Sequence, residues 1–149
     1  MQTLMKSILS VTMALFLFFS AYSLKAQNSD APQHKVVIQL VNGDSLSQRG
    51  LMKNLKNLTA GWPDLQIEVV CHGPGISLLH TKKSLFLDEV QQFKTKGVDF
   101  VACENTMKSK HIDRKMITED ARTVPMGLKE VILKQEAGWS YIKAGVVKN

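Results

Sequence analysis

Beyond the N-terminal segment, three stretches of the chain are apolar at nearly every position, and polar, turn-forming residues separate them. Lys35-Val36-Val37-Ile38-Gln39-Leu40-Val41 is β-branched and almost continuously apolar, the mark of a strand covered on both faces. Asn42-Gly43-Asp44-Ser45 stops it. Ser45 or Ser47 then caps a helix with Leu51, Leu55 and Leu58 at helical spacing, Met52 widening the stripe, and Gly61 and Pro63 closing it. Leu65 to Cys71 reads as the second strand, followed by the loop His72-Gly73-Pro74-Gly75 and a helical turn over 76–79. Phe86, Val90 and Phe93 mark a longer helix, which Lys94, Lys96 and Gly97 end. Val98 to Ala102 is the third strand and runs into Cys103.

The pattern loosens beyond this point. A short helix is predicted from Asn105 to Lys110, and Asp113 caps another turn to Ile117. Arg122-Thr123-Val124-Pro125 is a short fourth strand. Leu128, Val131, Ile132, Gln135 and Trp139 lie along a final helix, which Tyr141-Ile142-Lys143 either continues or follows as a tail. Strands buried on both faces and alternating with helices define an α/β class with a mainly parallel sheet of four to five strands. No repeat or internal linker divides residues 34–149, so they are expected to form one domain.

The N-terminus has a different pattern. Lys6 precedes an apolar run from Ile8 to Ala21, and Ser23-Leu24-Lys25-Ala26 supplies small residues, the arrangement of a secretory signal peptide. The run is shorter than the roughly 20 residues of a spanning helix, so no stable membrane anchor is expected. Residues 1–26 are read as the signal peptide, cleaved after Ala26 with Ser23 as the alternative, and 27–33 as a disordered lead-in. The protein is therefore expected to be exported, periplasmic or secreted. Cleavage removes Lys6 and Lys25 and no acid, taking the net charge from +6 to +4. That charge is dispersed, with no basic block interleaved with aromatics, so nucleic acid is not an expected partner.

Candidate chemistry centres on Cys103. Strand ends at the carboxyl edge of an open α/β sheet are where loops and helix N-termini converge. A helix starting near Asn105 aims free N–H groups at the sulfur and favours the thiolate, whereas Glu104 opposes it if its carboxylate faces the sulfur. His72-Gly73-Pro74-Gly75 is a tight loop able to approach a ligand, with His72 placed to supply a proton. Cys71 is a possible resolving thiol, if its strand lies beside that of Cys103. Cys71, His72, Cys103 and His111 lack metal-ligand spacing, so no metal is expected, and no sequence feature calls for a cofactor. A Gly-x-Ser-x-Gly hydrolase elbow is absent.

Taken in order, Val36 to Leu40, Ile67 to Ile76, Gly97 to Met107 and Gly138-Trp139-Ser140-Tyr141-Ile142 resemble the DsrE/DsrF-like family. The resemblance covers about residues 34–143. It implies a three-layer α/β/α domain assembled as a homo-oligomer, a trimer or hexamer. It also implies a sulfur-relay role, in which Cys103 carries sulfane sulfur as a persulfide between a donor and an acceptor protein. His72, Gly73, Gly75 and Asn105 match positions that line the pocket. Two departures stand out, the second thiol at Cys71 and the signal peptide. The alternatives are a non-catalytic binding module with a structural cysteine and a Cys71/Cys103 thiol–disulfide protein.

Overall fold

A computed structural model describes residues 34–145. The signal peptide and lead-in expected over 1–33 lie outside the described residues. Five parallel strands form one sheet: β1 (Lys35–Leu40), β2 (Gln66–Cys71), β3 (Asp99–Cys103), β4 (Ala121–Val124) and β5 (Ser140–Ala144), in the order β4-β3-β2-β1-β5. The helices are α1 (Ser45–Gly61), α2 (Leu87–Thr95), α3 (Glu104–Ser109) and α4 (Gly127–Glu136), with short 3₁₀ segments at Gly73–Leu79 and Arg114–Met116.

The strand order explains the layers. From β1 to β4 the chain advances one strand at a time toward one edge, then returns across the sheet to place β5 beside β1. Right-handed crossovers put connections that run in opposite directions on opposite faces. The main core accordingly joins Ile38, Val69 and Phe100 of the sheet to Leu51 and Leu55 of α1, Val90 and Phe93 of α2, and Met107 of α3. The other face carries a small valine cluster of Val37, Val70, Val101 and Val124, closed by Val131 of α4 and by Trp139. The three layers are thus unequal, and α4 is the helix packed on the second face.

Two details depart from the expected elements. Helix α1 is capped by Asp44, whose carboxylate accepts the Ser47 N–H at 2.9 Å and the Ser47 hydroxyl at 2.8 Å. A carboxyl side chain facing the free N–H groups of the first turn suits both the cap and the helix dipole. Tyr141-Ile142-Lys143 neither continues α4 nor trails as a tail. The helix ends at Gly138, which adopts φ +81, and Tyr141 and Ile142 pair with Val37 and Ile38 as the edge strand β5.

Candidate functional site

Cys103 is the last residue of β3 and immediately precedes α3. Side chains alternate along a strand, so Phe100 and Ala102 enter the main core while Cys103 faces α4. The Gly127 N–H at the start of α4 donates to Cys103 Sγ at 3.2 Å. The fit is close. A Cβ added at Gly127 would sit 3.1 Å from Cys103 Cβ, 3.2 Å from Val70 Cγ1 and 3.3 Å from His72 Cβ. Glycine therefore lets the start of α4 settle onto the thiol.

The surroundings favour the thiolate. Burial pushes the Cys103 thiol up, but the Gly127 N–H, the Thr106 hydroxyl and the N–H groups of Thr106 and Asn105 together outweigh it and hold it below the ordinary thiol value. These donors stabilise the charged form, which is the reactive one. Thr106 is itself fixed, since its hydroxyl oxygen accepts the Gly73 N–H at 3.0 Å. Glu104 does not oppose them, because its carboxylate is turned to β4 and accepts the Thr123 hydroxyl at 2.7 Å.

His72 flanks the same glycine and is half-buried. The Tyr141 hydroxyl donates to Gln39 Oε1, which leaves the Gln39 amide N–H to donate to His72 Nε2 at 2.7 Å. An accepting Nε2 places the ring proton on Nδ1. Burial lowers the His72 pKa, in keeping with a neutral imidazole. This Tyr141–Gln39–His72 chain joins β5, β1 and the end of β2 across the second face.

Gly73 adopts φ +53 and belongs to the site through its N–H to Thr106. Gly75 serves the fold: its N–H donates to Val41 O at 2.6 Å, and a Cβ there would meet Leu40 O at 2.3 Å. Asn105 contributes its main chain, while its side chain is exposed. Cys71 and Cys103 end neighbouring strands, and Cys71 pairs in register with Ala102. The alternation that turns Cys103 toward α4 sends Cys71 into the main core, where it is fully buried and burial pushes its thiol far up. The fold thus brings Cys103, His72 and Gly73 together and directs the second thiol to the opposite face. Both cysteines are free thiols. No group of three or more metal-ligating side chains occurs among the described residues.

Thr106, Gly127, Gln39 and Tyr141 complete the site without having been singled out from sequence. Thr106 carried a local signal, since the third residue after a helix-preceding residue is where a side chain or N–H turns back on it. The other three come from distant segments and carried none.

Beneath α4 lies a charged cluster. Glu68 of β2 is fully buried. Its Oε2 meets Lys134 Nζ of α4 at 2.5 Å and Arg122 Nη2 of β4 at 2.9 Å. Arg122 also binds Asp99 at 2.7 Å and Glu130 of α4 at 2.8 Å. Burial pushes the Glu68 carboxyl up against the pull of Lys134 and Arg122. Only Gly127 and Val131 of α4 are buried, so these ion pairs do much to fix the helix that presents Gly127 to Cys103.

A parallel α/β domain with one stabilised thiol at the carboxyl edge of its sheet is the class defined by this geometry. The chain belongs to the DsrE/DsrF-like family, which it matches over residues 34–144. Among solved structures it is similar to the protein of unknown function MTH1491 from Methanobacterium thermoautotrophicum, with a TM-score of 0.71 and 29% identity over 74% of this chain and 98% of that one. It shares its fold with the conserved protein of unknown function BT1422 from Bacteroides thetaiotaomicron, with a TM-score of 0.56 and 17% identity over 78% and 99% of the two chains. No curated protein matches it.

Proposed function

We propose that this protein is an exported sulfur carrier that accepts sulfane sulfur on Cys103 as a persulfide and passes it to an acceptor. The observation that carries the reading is the Gly127 N–H on Cys103 Sγ, backed by Thr106, in a setting that favours the thiolate. Membership of a family associated with sulfur relay supports it.

In the loading step the Cys103 thiolate attacks the outer sulfur of a donor persulfide, R–S–SH. A new S–S bond forms on Cys103 as the donor's S–S bond breaks. The electron pair leaves with R–S⁻, and the proton stays on the transferred sulfur. Unloading is the same exchange with an acceptor thiolate, so no external oxidant is required. The N–H groups that stabilise the thiolate lower the cost of expelling it as leaving group. His72, held by Gln39, is the proposed proton-exchange partner of the donor or acceptor thiol before and after the transfer.

Export rests on the signal-peptide pattern of residues 1–26. Self-association into a trimer or hexamer is supported by the apolar outer surface of α4, where Leu128 and Ile132, one turn apart, are each about half exposed (53% and 47%) beside Met126. The burial of Cys103, 4% exposed, favours the competing reading of an inert binding module.

Cyanide separates the two readings, because it removes sulfane sulfur as thiocyanate and leaves a thiolate. Protein loaded with polysulfide and desalted is expected to release one thiocyanate per chain. Cys103→Ser is expected to release none, and Cys71→Ser as much as wild type. Release that survives in Cys103→Ser, or none from wild type, overturns the carrier reading.

A further inference from the structure

The residues after the His72 loop line a cavity that the sulfur chemistry does not use. It measures about 360 Å³ and is lined by Ser77, His80, Lys83 and Lys110, with Ile76 and Ile112 contributing apolar wall. No carboxylate lines it, and neither lysine is ion-paired among the described residues.

His80 is a built part of this cavity. It is 5% exposed and bridges to Ile117 as an isolated antiparallel pair. Its carbonyl accepts the N–H groups of Lys83 at 3.1 Å and Ser84 at 3.0 Å, which folds the chain so that Lys83 stays beside the ring. Nδ1 accepts the Lys82 N–H at 3.1 Å. That assigns the ring proton to Nε2. Burial, then the charges of Lys83 and Lys82, lower the His80 pKa against a hydrogen bond to its own backbone that raises it. The Ser77 hydroxyl is already engaged, accepting Gln48 Nε2 at 2.8 Å.

An imidazole N–H donor and two ammonium groups outside any ion pair among the described residues, lining one cavity with no acid among its walls, are complementary to an anion. We propose that this cavity binds a small tetrahedral oxoanion of the sulfate or phosphate class, held by His80 Nε2–H, Lys83 and Lys110. It is distinct from the Cys103 site, although both draw on the Gly73–Leu79 segment and on the chain around α3.

The test is an NMR titration of the protein with sodium sulfate, replacing sodium chloride at constant ionic strength and following the His80 ring. A saturable shift is expected, with inorganic phosphate competing for it. Lys83→Met and Lys110→Met are each expected to weaken binding about threefold or more, as for solvent-facing charges. Both side chains are exposed, so the fold should persist in the variants. A shift reproduced by chloride alone, or saturable binding unchanged in both variants, overturns the proposal.

Discussion

The main-chain N–H of Gly127 lies 3.2 Å from Cys103 Sγ, linking residues 24 positions apart in sequence. It joins the first residue of a helix on one face of the sheet to the last residue of a central strand. The sulfur chemistry proposed for this protein depends on that contact, and each element holding it in place has a measurable consequence.

Gly127→Ala tests the contact directly. The new Cβ would lie 3.1 Å from Cys103 Cβ and within 3.3 Å of Val70 and His72, closer than side chains normally pack. The start of α4 must move outward, lengthening the N–H···S bond. Stability is expected to fall by about 1–3 kcal/mol, as in overpacked cores. The pH midpoint of Cys103 alkylation by iodoacetamide should rise, read as the labelling rate against pH beside a denaturant titration.

Thr106→Val removes a hydroxyl that serves two groups. It deprives Sγ of a donor and leaves the Gly73 N–H without its 3.0 Å acceptor. An unsatisfied, partly buried donor costs about 1–3 kcal/mol. Alkylation at neutral pH should slow, and serine at the same position should restore most of the rate. A variant with unchanged thiol reactivity would show that the hydroxyl serves the fold alone.

Lys134→Met addresses the charged cluster that fixes α4. Glu68 would keep Arg122 alone as partner, and breaking a buried pair costs about 3–5 kcal/mol; the part-exposed Arg122 that remains places the loss near the lower end. Because burial already holds the Glu68 carboxyl above its ordinary 4.5, its favourable contribution is present at low pH and lost as pH rises through its folded pKa. The substitution should therefore cost more at neutral pH than near pH 4.5. Paired denaturant titrations at the two pH values check this, and Lys134→Arg is expected to rescue both stability and Cys103 reactivity.

His72 has the opposite sign. Burial holds its pKa below 6.5, so its contribution is complete above that value and lost as pH falls through the folded pKa. Relative to His72→Gln, the wild-type protein should lose thermal stability on acidification below pH 6.5. A constant difference between the two melting curves across that range would contradict a neutral, Gln39-bonded imidazole.

Much of the fold was legible because β1, β2 and β3 are buried on both faces and so read as unbroken apolar runs. Strand β5 was not, because four of its five residues are exposed and its pairing with β1 is set by the return crossover, not by local pattern. The placement of Cys103 at a strand end was legible for the same reason as the strand itself. Its principal donor was not, since Gly127 reaches it only after α4 crosses the second face, and a backbone N–H leaves no residue signature. Cys71 shows the reverse case. Two similar runs put it at a strand end, but whether that strand adjoins the one of Cys103 stayed open, and both the adjacency and the one-residue register that separates the sulfurs by face belong to the sheet.

The central claim, that Cys103 alone carries transferable sulfur, is tested most directly by intact-mass spectrometry of the protein after exposure to a sulfane-sulfur donor. The account predicts a gain of one sulfur atom, reversed by reductant, absent in Cys103→Ser and retained in Cys71→Ser. A two-hydrogen deficit without sulfur uptake would mean a Cys71–Cys103 disulfide and would contradict both the proposed carrier and the opposite-face placement of the two thiols.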